Sequence, residues 1–403
     1  MGLVWPTSRG WVVAFACLIW AGVALVNRTV FPFLLAVGTL ALLAVSFLCA
    51  WLALRGIRVR RGSAGSACAG QAASMPLWIT NHSRRRRQSM IVVERLPFST
   101  QQEHVTMVPP LKPQEERLVN RQVLAMLRGE FALRRITLRG GDPAGLFYRE
   151  RKFKCPHTQV IYPGMETISN LFLGQHETVQ SSTGNPVSAA GTTQDFYGVR
   201  EYNPSDGLRF IHWKSSARFG KLMVREFERN AVMSIAVILD IPRQSVSGKE
   251  HWSNLEYQVR AAASICHHCS DLYCDLSFAA GGAKPILIPP RAAVEVSREA
   301  MYHLATLQPG DIPVSDLVLE LARQLPRKSV VFCLSLSTPK TLVETVELLC
   351  EQGVDVRWYC ARREAFAPAT RRKHTTDEQV KLPFEVAQLH PDMRLGKALS
   401  LQT

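Results

Sequence analysis

The sequence predicts a multidomain membrane protein with three structured parts: an N-terminal transmembrane helical hairpin, an all-β sandwich-like domain, and an α/β domain on a mostly parallel sheet. Three observations predict it. Arg28 is the only charged residue between Gly10 and Leu54. From there to about residue 163, short apolar segments are broken by Gly, Pro, Asn and Ser. From about residue 233, runs that are apolar along their whole length alternate with segments of helical spacing. The expected divisions are 1–55 (hairpin), 56–163 (β domain), 164–232 (connector), 233–363 (α/β domain) and 364–403 (polar tail).

The hairpin is "WVVAFACLIWAGVALV" (11–26) and "VFPFLLAVGTLALLAVSFLCAWLAL" (30–54), with helices expected over about 10–27 and 30–54. The second run has the roughly 20 apolar residues that a membrane-spanning helix needs. Only "NRT" separates the two, so they run antiparallel. No small-x-small cleavage site precedes the second run, which disfavours a cleaved leader. Arg9 precedes the first helix, and Arg55, Arg58, Arg60 and Arg61 follow the second, against one arginine in the turn. The positive-inside rule then places both ends in the cytoplasm.

The β domain rests on "SMPLWIT" (74–80), "SMIVVERL" (89–96), "FALRRITLR" (131–139) and "TQVIYP" (158–163). Evenly spaced short strands of this kind suggest a sandwich. "NHSRRRRQ" (81–88) reads as a hairpin loop. Its Arg84, Arg85, Arg86 and Arg87 join Arg55, Arg58, Arg60 and Arg61 as the expected contact with anionic headgroups, at about 1 kcal/mol per basic residue.

In the α/β part, "MSIAVILD" (233–240) is a fully buried strand, "SNLEYQVRAAASICHHCSDL" (253–272) a helix and "YCDLSFAAG" (273–281) a strand. "SVVFCLSLS" (329–337), "PKTLVETVELLCEQ" (339–352) and "VDVRWYCA" (354–361) repeat the alternation, which predicts a sheet covered on both faces. Asp240 closes the first strand, where open α/β sheets collect ligands.

Lys and Arg total 48 against 33 Asp and Glu, a formal charge of +15, so an anionic surface or acidic partner is expected. Ten irregularly spaced cysteines are too dilute for a disulfide scaffold. "CHHC" (266–269) with Cys274 lacks the second ligand pair of a structural zinc site, so these read as buried thiols. No P-loop, dinucleotide fingerprint or His-Glu-x-x-His motif is present.

The densest polar window is "REYNPSDGLRFIHWKSSARFGKLMVREFE" (200–228). Asn203, Pro204, Asp206 and Gly207 are turn chemistry. "LRFIHWKSSARFG" fits a short helix stopped by Gly220, with Trp213 expected to be buried, and "KLMVREFER" an edge strand leading into the sheet. Arg209, Lys214, Arg218, Lys221 and Arg225 are nearly balanced by Glu201, Asp206, Glu226 and Glu228, which argues against nucleic acid.

That window, followed by "AVILD" (236–240), resembles the signature of the domain of unknown function 58 family. "LRGIRVRRGSAGSACAGQ" (54–71) is similar to the family's post-membrane stretch. The segment from "LKPQEERLVNRQVLAML" to Pro143, Gly145, Leu146 and Phe147 is similar to its linker. The resemblance implies a bacterial inner-membrane anchor and a von Willebrand factor A-like α/β domain. It also implies protein partners such as a MoxR-type AAA+ ATPase or a transglutaminase-like membrane protein.

A metal-binding domain of that kind carries Asp-x-Ser-x-Ser, whereas Asp240 is followed by Pro242 and Gln244 at the serine positions. Divalent cations need six or more oxygens, so no cofactor is expected. Asp240, Ser245, Ser335 and Ser337 are weak metal candidates. The expected function is a non-enzymatic adaptor whose docking face is Tyr202, Asp206, Arg209, His212, Trp213, Lys214 and Arg218. The competing expectation is a metal-dependent or hydrolytic enzyme using Asp240 and the 206–218 window, with Ser215 or Ser216 beside His212 and Asp206.

Overall fold

The structure is a computed structural model that describes residues 3–63, 65–101, 103–168, 196–201, 211–227, 233–272, 274–327, 329–367, 386–391 and 393–400. A short strand β1 (Val4–Pro6) leads into two long helices, α1 (Ser8–Asn27) and α2 (Val30–Ala53). Thr7 caps α1 by accepting from the Gly10 N–H at 3.1 Å. Arg28 takes a left-handed conformation (φ 50°) that ends α1 and reverses the chain. Trp11, Phe15, Phe31, Phe33 and many Leu and Val side chains point outward from both helices. Both helices are long and apolar enough to cross a membrane, and an apolar surface of this extent is what lipid covers. The two helices make the chain membrane-associated.

The strand-rich part comprises β2 (Ile57–Arg61), β3 (Ala67–Cys68), β4 (Ala72–Ser74), β5 (Leu77–Asn81), β6 (Met90–Glu94), β7 (His104–Val108), β8 (Glu116–Val119), β9 (Gln122–Leu124), β10 (Gly129–Gly141) and β11 (Phe147–Tyr162). One sheet has the order β1-β11-β10-β6-β7, with β3 on the far end of β11; β2-β5-β8 and β4-β9 are separate. Ile57, Leu77 and Ile79 meet Met90, Val92, Ile136 and Leu138 in one core between the sheets. The strands alternate buried and half-exposed because their side chains alternate faces. Segment 82–89 is not a hairpin loop, as the sequence predicted. It crosses between sheets, since β5 pairs with β2 and β8 while β6 pairs with β7 and β10.

Helix α2 is joined firmly to this domain. Its last carbonyls have no intrahelical donors. Arg149 donates to the Trp51 carbonyl, Arg87 to Leu52 at 2.7 Å, and Arg151 to Leu54 at 3.3 Å. The Pro-x-Gly-Leu-Phe stretch explains itself here. Asp142 accepts from the Phe147 and Ala144 N–H groups, forming a turn against α1. A Cβ at Gly10 would lie 2.3 Å from the Leu146 oxygen, so only glycine allows this approach.

The last part contains β12 (Phe196–Glu201), α3 (Trp213–Phe219), β13 (Met223–Phe227), β14 (Met233–Asp240), α4 (Asn254–Ser270), β15 (Cys274–Ala280), β16 (Ile286–Ala292), α5 (Ala293–Thr306), α6 (Ser315–Ala322), β17 (Val330–Ser335), α7 (Lys340–Glu351), β18 (Asp355–Cys360), α8 (Arg363–Phe366), β19 (Val386–Gln388) and α9 (Leu395–Ser400). The mixed sheet has the order β16-β15-β14-β17-β18-β19, with only β16 antiparallel to its neighbour among these pairings. Helices α4, α5 and α9 bury one face and α6 and α7 the other. Two expectations need correction. β13 pairs with β12 in its own ribbon instead of leading into the sheet as an edge strand. Residues 386–400, placed in the polar tail, supply β19 and a helix whose Leu395, Ala398 and Leu399 are buried.

The strand-rich part grips the mixed-sheet part through Arg128, whose side chain is 5% exposed. It donates to the carbonyls of Leu304 and Leu307, both at 2.8 Å, and pairs with Glu256. The chain leaving β11 adds a strap: the Glu166 N–H donates to Ser264 Oγ, and Glu166 accepts from the Leu395 N–H.

Candidate functional site

Asp240 and Ser335 sit side by side at the carboxyl ends of β14 and β17, where the sheet's winding reverses. A ligand crevice would open here, but the protein fills it. The Asp240 carboxylate, 4% exposed, accepts from the Val314 N–H. Burial pushes its carboxyl up to about 6. Ser335 Oγ accepts from Trp358 Nε1 at 2.8 Å. Gln258 donates to the Ser335 and Tyr359 carbonyls, and Asn254 to those of Ser245 and Ala361. Segment 307–314 covers the remaining side. Gly310 bridges Pro242 and lies so close that a Cβ would sit 2.2 Å from the Ala283 nitrogen.

The donor set does not fit a divalent ion. Asp240 is a lone carboxylate already bonded, Ser335 is engaged, and Ser245 and Ser337 lie on separate turns. Among the described residues no three metal-ligating side chains cluster. Cys266, Cys269 and Cys274 are buried, and burial pushes the Cys266 thiol up to about 12, which keeps it protonated.

The signature window behaves differently. Tyr202, Asp206 and Arg209 lie outside the described residues. The structure does place His212, Trp213, Lys214 and Arg218. His212 is the N-cap of α3: its Nδ1 accepts from the Ser215 N–H at 3.3 Å and lies 2.7 Å from Ser215 Oγ. Ser216 Oγ donates to the His212 carbonyl and accepts from the Met223 N–H, while the His212 N–H donates to the Met223 carbonyl. Gly220 ends the helix with φ 64°. These bonds tie α3 to the start of β13.

Trp213, expected to be buried, is 68% exposed. Phe219 is 61% and Leu222 45% exposed, and Lys214, Arg218 and Lys221 are exposed beside them. A one-turn polar knot therefore holds an outward apolar patch in a basic frame. Ser215 is within proton-transfer reach of His212, but the same Nδ1 lone pair caps the helix, so taking up a proton would loosen α3.

Residues 198–350 match the family model described as "Protein of unknown function DUF58". The uncharacterized protein YeaD of Bacillus subtilis (strain 168) is 26% identical over 178 residues, 44% of this chain and 42% of YeaD. The match thus spans less than half of that relative. Among solved structures, an aerotolerance-related membrane protein of Bacteroides fragilis NCTC 9343, carrying multiple mutations to serines, aligns with a TM-score of 0.25 and 12% identity over 32% of this chain and 67% of that one. A β-glucosidase of Kluyveromyces marxianus aligns with a TM-score of 0.14 and 10% identity over 27% of this chain and 15% of that one. Overlaps this slight carry no argument about fold or activity. The DUF58 match spans α3 and the carboxyl edge at Asp240.

Sequence reasoning missed Asn254, Gln258 and Arg128. The first two were signalled by their four-residue spacing, which puts two amides on the buried face of α4. Arg128 carried no local signal, because its partners lie more than a hundred residues away. Among the arginines expected at the lipid surface, Arg55, Arg58, Arg60, Arg84, Arg85 and Arg86 are exposed. Arg61 and Arg87 correct that expectation. Arg61 turns inward to pair with Glu94, which also takes Arg121 at 2.8 Å. Arg87 turns in to the end of α2.

Proposed function

We propose that this DUF58 protein is a membrane-anchored, non-enzymatic adaptor that docks a protein partner on α3. The observation that carries the reading is the exposure of Trp213 and Phe219 on a segment fixed by its own hydrogen bonds. Large aromatics with a neighbouring arginine are the side chains that dominate protein interfaces. A rigid segment loses little entropy on docking. The complementary partner offers an apolar pocket with an acidic rim. The family resemblance points to a MoxR-type AAA+ ATPase or a transglutaminase-like membrane protein. A sheet of order β16-β15-β14-β17-β18-β19 with an antiparallel β16 supports the von Willebrand A-like reading. The arginine distribution supports an inner-membrane location with the soluble parts in the cytoplasm.

The test is chemical crosslinking and pull-down of the full chain from native membranes, comparing wild type with Trp213→Ala/Phe219→Ala. Both side chains are exposed, so the variant should melt as wild type does. Loss of one defined partner with the fold intact supports docking. An unchanged partner set refutes it.

A further inference from the structure

The loop 82–87 has a structure the docking reading does not use. Buried Asn81 holds it: its side-chain amide donates to the Arg85 and Lys112 carbonyls at 3.0 and 2.9 Å, and its oxygen accepts from the Ser83 N–H at 3.0 Å. The His82 N–H donates to the Gly56 carbonyl at 2.9 Å, which places the loop directly beside the exit of α2. Arg87 is 9% exposed and caps Leu52, and its Nε is buried without a partner. Arg55 lies 5.8 Å over the Trp51 ring at the same level. Arg84, Arg85 and Arg86 point outward around them.

This cluster is under-neutralised. Among the described residues no carboxylate lies in ion-pair range of Arg55 or Arg84 to Arg87. Burial, then Arg85 and Arg55, push the Arg87 guanidinium below its ordinary value, so the three charges feel one another. Residues 56–163 hold 19 Lys and Arg against 7 Asp and Glu, so 19 − 7 = +12 of the chain's +15 sits in this part. An anion is the missing component, and the position beside a membrane helix end says which anion is at hand.

We propose that loop 82–87 with Arg55 is a preformed site for the phosphate of an anionic phospholipid headgroup in the adjoining leaflet. Arg84, Arg85 and Arg86 supply the charge, and Asn81 and Arg87 fix the loop against α2. The inference does not depend on docking at α3.

The experiment uses the full chain in nanodiscs of phosphatidylcholine and phosphatidylglycerol in equal parts, with native mass spectrometry of the retained lipids. Wild type should enrich phosphatidylglycerol. Arg84→Gln/Arg85→Gln/Arg86→Gln should lose that enrichment by roughly a hundredfold, three guanidiniums at about 1 kcal/mol each. Arg84→Lys/Arg85→Lys/Arg86→Lys should keep most of it, which separates charge from fold. Equal retention of both lipids by wild type, or enrichment unchanged in the glutamine variant, overturns the proposal. Displacement of the lipid by inorganic phosphate at matched concentration would make it a free-anion site and overturn it too.

Discussion

Replacing Asp240 with Asn should make this protein more stable than the wild type at pH 8 and slightly less stable at pH 4. The side chain is 4% exposed and burial raises its carboxyl from the ordinary 3.8 to about 6. The folded state therefore holds the proton more tightly than the unfolded one. Below pH 3.8 both states are protonated and there is no penalty. Between 3.8 and about 6 stability falls as pH rises, and above that the penalty is constant. At 1.36 kcal/mol per pH unit the full penalty is about 3 kcal/mol. Asn keeps an acceptor for the Val314 N–H but buries new donors, which costs about 1 kcal/mol at every pH. The expected net is about 2 kcal/mol of stabilisation at pH 8 and a small loss at pH 4. The assay is thermal melting across that pH range, where 1 kcal/mol moves the midpoint by about 2–4 °C in a domain of this size. A divalent cation on Asp240 predicts the opposite. If Asp240→Asn melts lower at pH 8, and Mg2+ or Mn2+ raises the wild-type midpoint only, the closed-edge account is wrong.

Other outcomes follow from the same geometry. Arg128→Ala removes two backbone caps and the Glu256 pair at a 5%-exposed site, so it should cost about 2–4 kcal/mol and raise hydrogen exchange over 304–314; unchanged exchange there would show that the two parts are not held by this contact. A fluorophosphonate probe should leave Ser215 unlabelled, because His212 Nδ1 serves as the cap of α3; an adduct on Ser215 would establish the hydrolytic alternative.

Much of the fold was legible because its signals are local. The hairpin was written in forty-odd residues with one charge, and its helices fall at Ser8–Asn27 and Val30–Ala53. The apolar run ending in Asp240 became the central strand β14, and the spacing of 253–272 became α4. What failed was long-range. β5 and β6 look like a hairpin in sequence, yet their partners come from elsewhere in the chain. Arg61 and Arg87 read as surface charge in a basic run, but Glu94 and an uncapped helix end draw them inward. At the signature, the Gly220 stop could be read. The exposure of Trp213 could not, because whether an aromatic is covered depends on what the rest of the fold places over it.

The central claim, that α3 is a docking face, is tested most directly by a photocrosslinking amino acid placed at Trp213 and at Phe219 in the full chain in native membranes. Leu348, an exposed apolar position on α7, serves as control. The account predicts one shared protein adduct from 213 and 219 that is absent from 348. Adducts of the same identity from all three positions, or none from 213 and 219 in a protein that folds and inserts, would contradict it.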